Sequence, residues 1–132
     1  MNRLDMTIDW LYDKLDDMEL KELYTGNKVD KPKLFKGDVT DEEIKYLDSF
    51  IVLKVGDSRR VDSNIKTAIH ILVYNLNSYD INTKDIMRIP NEGYPISFTE
   101  TQSGVRRLAK TSDILKYDLI TYTYVERFCQ EW

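Results

Sequence analysis

The sequence predicts a single, mainly helical domain, and three observations predict it. Residues 61–79 (VDSNIKTAIHILVYNLNSY) are the longest strongly apolar segment, with Ile65, Ile69, Leu72, Leu76 and Tyr79 on one face at helical spacing. Leu4, Ile8, Leu11, Leu15 and Met18 follow a 4-3-4-3 spacing that also keeps them on one helical stripe. Residues 40–43 (TDEE) spell a capping box, in which the threonine hydroxyl and the glutamate carboxylate each satisfy a free amide at a helix start. The expected architecture is a compact helical domain around a buried central helix, 62–79, with a buried strand over 68–76, a run rich in Ile and Val, as the rival reading of that segment. An α+β arrangement with a short strand pair, 50–55 and 119–125, is the alternative.

The first 25 residues read as an amphipathic acidic helix. Asp9, Asp13 and Asp16, joined by Asp17, line the side opposite the apolar stripe, and Trp10 and Tyr12 flank it. Acidic residues early in a helix also suit its positive dipole end. Residues 26–37 (GNKVDKPKLFKG) are bracketed by glycines and read as an exposed connection. The core is then 38–132, all within one domain.

Ile44 and Leu47 supply the apolar face behind the capping box. Residues 50–55 (FIVLKV) read as a strand ending at the turn chemistry of Gly56 and Asp57. Asp62 and Ser63 are candidate N-caps for the central helix. His70 lies on its narrow polar stripe, with Lys66 and Asn77. Residues 84–89 form a short helix stopped by Pro90, and Asn91 to Pro95 is turn chemistry. A further helix is expected over 99–110, weakened inside by Gly104. Residues 113–132 are either one aromatic helix or a turn of helix followed by a strand, 119–125.

Composition narrows the function classes. The chain has 132 residues, 42% of them hydrophobic and 32% charged, which suits one globular domain. It favours Tyr, Asn, Asp, Ile and Lys over Ala, Gly and Pro, the bias of an AT-rich genome such as that of a phage or mobile element. One cysteine, Cys129, allows no internal disulfide, so a reducing cytoplasmic setting is expected. The N-terminus has no apolar core behind a basic flank, so no signal peptide is expected. No run approaches the ~20 apolar residues of a membrane helix, so no membrane partner is expected.

Catalysis finds little support. One histidine and one cysteine cannot build a structural zinc site without several carboxylates, and the five glycines are scattered outside any phosphate-loop pattern. We expect no enzyme, no metal and no cofactor.

Two binding readings remain. Net charge is −4, and residues 1–50 carry 8 Lys/Arg against 13 Asp/Glu. The leading reading is an inhibitor or adaptor that docks a basic protein, for instance one that handles nucleic acid, through Asp9, Asp13, Asp16, Asp17, Trp10 and Tyr12. A homodimer is left open. The alternative is a winged helix-turn-helix regulator with 99–110 as recognition helix. Thr99, Thr101, Gln102, Ser103 and Arg106 would then face DNA bases, with Arg107 and Lys110 on phosphates. The connection from Pro90 to Phe98 is long for that motif, and 84–116 holds only six basic against four acidic residues.

Overall fold

A computed structural model describes residues 2–18, 33–45, 47, 49–75, 83–90, 92–108 and 113–127. They form α1 (Arg3–Asp17), β1 (Lys33–Lys36), α2 (Asp41–Ile44), β2 (Ser49–Val61), β3 (Asn64–Asn75), α3 (Thr83–Met87), β4 (Ile96–Arg107) and β5 (Ile114–Arg127). The strands make one five-stranded sheet in the order β1-β2-β3-β5-β4. β1 runs parallel to β2, and every other pair is antiparallel.

The described residues are therefore mostly β, and they do not form the expected helical domain. The segment expected as the central helix, 62–79, is instead the middle strand β3 from Asn64 to Asn75, and 76–79 lies outside the described residues. Along β3, Ile65, Thr67, Ile69, Ile71 and Val73 point to one face, and Lys66, Ala68, His70, Leu72 and Tyr74 to the other. Both faces are buried from Ile69 to Tyr74 apart from half-buried His70, so the run reads as continuously apolar rather than alternating. Its β-branched residues suit a pleated surface. Asp62 and Ser63 are not helix caps but the two-residue loop of the β2–β3 hairpin. Asp62 takes the left-handed backbone (φ 54°) that a short polar side chain tolerates.

The two segments expected as a short strand pair lie inside the longer β2 and β5. They do not pair with each other, because β3 runs between them. The connection 26–37 is corrected at its end: Lys33–Lys36 is the edge strand β1, with Leu34 and Phe35 partly buried, while 26–32 lies outside the described residues. The helix expected over 99–110 is instead β4 as far as Arg107.

Two apolar layers sandwich the sheet. On the first face, α1 lays Ile8, Leu11 and Leu15 against Ile51, Leu53, Ile69, Ile71, Val73, Ile120 and Tyr122, and α3 adds Ile86. The Tyr122 hydroxyl donates to the Ile86 carbonyl (2.6 Å), and burial pushes its pKa up to about 12. On the second face, Val39 and Ile44 of the α2 region cover Phe50, Val52, Leu72, Tyr74, Leu108 and Leu115. The capping box of α2 is formed: Thr40 Oγ1 accepts from the Glu43 amide, and Glu43 Oε1 accepts from the Thr40 amide. The Thr40 amide and the Thr40 hydroxyl, which donates to Oε1 at 3.0 Å, hold the Glu43 carboxyl below its usual range. Among the described residues no helix is long and apolar enough to cross a membrane.

Candidate functional site

The outer surface of α1 carries five aspartates, Asp5, Asp9, Asp13, Asp16 and Asp17. The helix is capped by Asn2, whose Oδ1 accepts from the Asp5 amide at 2.8 Å. Thr7, Ile8, Leu11 and Leu15 face the sheet. Asp5, Asp9, Asp13 and Asp17 recur every fourth residue on the remaining surface, with Asp16 beside them. At 1.5 Å per residue the stripe is about 18 Å long. Like charges four apart on a helix repel, a cost that the place of Asp5 in the first turn and the Asp9–Lys36 pair offset in part.

The predicted partner-binding residues divide into two groups. Trp10, Tyr12 and Asp9 anchor the helix. Trp10 stacks on Tyr94 (centroids 4.7 Å apart, 19° between planes), and its Nε1 donates to Glu92 at 3.0 Å. Lys14 Nζ reaches the other Glu92 oxygen at 2.5 Å. The Lys14 and Trp10 bonds hold the Glu92 carboxyl below its usual range. Across the helix, Lys36 of β1 pairs with Asp9 and sits 5.7 Å from the Tyr12 ring centroid. Asp13, Asp16 and Asp17 form the second group and are solvent-exposed. The sequence does not reveal this division, because Glu92, Tyr94 and Lys36 are remote in the chain.

The residues assigned to DNA do not form a reading row. On β4 they alternate between faces: Gln102 and Arg106 stand opposite Leu119 and Leu115, while Thr101, Ser103 and Arg107 stand opposite Ile120, Asp118 and Ile114. Arg106 is a structural brace whose Nη2 donates to the Val39 carbonyl and to Asp41 Oδ1, each at 2.9 Å. Ser103 Oγ donates to Asp118 at 3.2 Å. Lys110 lies outside the described residues. With 99–107 extended, the winged-helix reading loses its recognition helix.

A polar strip crosses the second face beyond the α2 cluster. The His70 ring lies over Gly56, where a Cβ would come within 2.3 Å of Nε2, so only glycine leaves the imidazole this seat. His70 Nδ1 is 3.1 Å from Thr121 Oγ1. Desolvation by burial lowers the His70 pKa, Lys54 lowers it further, and Asp57 and Glu100 oppose the change. The folded state therefore binds the proton less readily than the unfolded chain. This contribution to stability is present above the ordinary histidine pKa of about 6.5 and is lost as pH falls through the lower folded value. Urea titrations of the wild type should show stability declining between pH 7 and 5, and His70→Gln should flatten that decline. Equal slopes for the two proteins would assign the decline to other groups. Because this is the chain's one histidine, the comparison isolates it.

Among the described residues no group of three or more His, Cys, Asp and Glu side chains is placed to hold a metal ion. No protein-family model matches the chain, and a comparison with curated proteins finds no match.

Proposed function

We propose that this chain is a non-catalytic protein-binding domain, an inhibitor or adaptor that presents the acidic stripe of α1 to a basic partner surface in the cytoplasm. One observation carries the reading: Asp5, Asp9, Asp13 and Asp17 recur at a spacing that sets like charges together, with Lys36 offsetting the charge at Asp9, on a helix fixed to the sheet. A fold selected for stability alone would place lysine or arginine among those positions. A stripe of net negative charge raises the association rate with an oppositely charged partner, an effect that weakens with added salt. Proteins that handle nucleic acid carry such basic surfaces. The single cysteine fits a reducing compartment.

Asp13→Lys tests this with two readouts that should move in opposite directions. It converts two repelling i,i+4 pairs, to Asp9 and Asp17, into attracting ones. Each attracting pair is worth about 0.2–0.5 kcal/mol, so the variant should melt at the wild-type temperature or slightly above. Capture of a nuclease-resistant, stoichiometric protein partner from lysate should fall at the same time. A partner retained at wild-type levels, or one released by nuclease, overturns the proposal.

A further inference from the structure

The two edges of the sheet are built differently. β1 has four residues and carries lysine at both ends, the usual protection against edge-to-edge pairing. β4 has twelve residues (ISFTETQSGVRR), with no lysine or proline, and among the described residues it pairs only with β5. Its one irregularity, between Phe98 and Glu100, leaves Glu100–Arg107 regular. The backbone of this stretch can be assigned to its two sides. The Leu108 amide donates to the Asp113 carbonyl opposite it, so by period-two alternation the even-numbered residues bond to β5. Thr101, Ser103, Val105 and Arg107 then turn their amides and carbonyls outward.

We propose that β4 pairs antiparallel with β4 of a second copy about a two-fold axis at Ser103. This register opposes Ser103 to Ser103, Thr101 to Val105 and Glu100 to Arg106. The outward backbone groups of Thr101, Ser103 and Val105 each find a partner. Glu100 and Arg106 are equidistant from Ser103 and project on the same face, so the symmetry creates two opposite-charge pairs between copies. They fall at non-hydrogen-bonded sites, where opposed side chains are closest. Arg106 also remains held by Asp41, so its head is positioned before pairing.

The exposed apolar side chains agree with this assignment. Phe98, Val105 and Ile114 are 45%, 65% and 53% exposed, and all three project from the α1-bearing face at the β4 margin. Pairing covers Val105 with Thr101 of the second copy and brings Phe98 towards the Val105–Ile114 end. The result is one continuous sheet of two five-stranded halves, with both α1 helices on the same side. The inference does not depend on the acidic-stripe proposal, although it would present two stripes together.

Sedimentation equilibrium of the full chain, from micromolar concentrations to about 1 mM, tests the pairing. A concentration-dependent dimer is expected, and Glu100→Arg, which sets like charges against each other, should weaken it by at least about tenfold. Ser103→Cys in a Cys129→Ser background should form an intermolecular disulfide on mild oxidation, because opposed Cα atoms at such a site lie about 5.5 Å apart. In the same background, Thr101→Cys should link to Val105→Cys when the two are mixed, and neither should link to itself. A protein that is monomeric throughout overturns the proposal. So does a dimer that ignores Glu100→Arg and gives no disulfide at position 103. Wild-type circular dichroism for each variant confirms that the substitutions leave the fold in place.

Discussion

Leu11→Ala should cost about 2–5 kcal/mol of unfolding free energy, one of the two largest single-residue effects expected in this protein. Leu11 is fully buried at the centre of the apolar stripe of α1, between Ile8 and Leu15, in the cluster that includes Ile51, Leu53, Ile69 and Ile71. Removing its isobutyl group forfeits the transfer free energy and leaves a cavity that the helix cannot readily close. The Trp10–Tyr94 stack and the Asp9–Lys36 pair hold α1 at both flanks. Urea denaturation should show the midpoint falling with an unchanged slope. Met6→Ala on the same helix, at a residue 48% exposed, should stay within about 0.5 kcal/mol of wild type. A Leu11→Ala loss no larger than that control would mean that α1 contributes little to the core.

The α1 helix was legible in the sequence because it buries only one face. Ile8, Leu11 and Leu15 pack while Asp13, Asp16 and Asp17 stay wet, so the 3.6-residue period survives in the letters. β3 was misread for the converse reason. Where both faces of a strand are covered, as at Ile71, Leu72, Val73 and Tyr74, the two-residue period disappears, and apolar letters then match a helical template by coincidence. The alternation is visible only at the uncovered end, in Ile65, Thr67 and Ile69 against Lys66, Ala68 and His70. Asp62 and Ser63 compounded the error, since side chains that cap helices also make turns. β4 hid differently. As an edge strand it is exposed for most of its length, so it offers polar letters on both faces and no apolar period at all.

The candidate site was legible in composition but not in organisation. The aspartates of α1 can be read directly from the chain. The roles of Trp10 and Tyr12 as anchors depend on Glu92, Tyr94 and Lys36, which only the fold brings near. The seat of His70 depends on Gly56 of the neighbouring strand and Thr121 two strands from Gly56. Each is a cross-strand relation that follows from register, and a helical reading of β3 gives no register.

Phe50→Ala should cost about 3–5 kcal/mol, and it tests whether the second face is a core in its own right. Phe50 is fully buried. Its ring stacks on Tyr74 of β3 (centroids 4.3 Å apart, 13° between planes) and meets the Phe35 ring edge-on at 5.9 Å. It therefore ties the parallel edge strand β1 and the central strand β3 to β2. The layer above it includes Ile44, carried by a four-residue helix whose capping box fixes its start, and Val39, just before that helix. So short a helix is not stable alone and depends on this packing. A double-mutant cycle with Tyr74→Leu should return a coupling of about 0.5–1.5 kcal/mol, the excess that an aromatic pair contributes beyond buried area. A Phe50→Ala loss below about 1 kcal/mol would mean that the α2 layer collapses onto the sheet without it. In that case the α1 layer alone would stabilise the fold. A loss in the expected range would instead explain why the middle of β3 must be apolar on both faces, the property that disguised it as a helix.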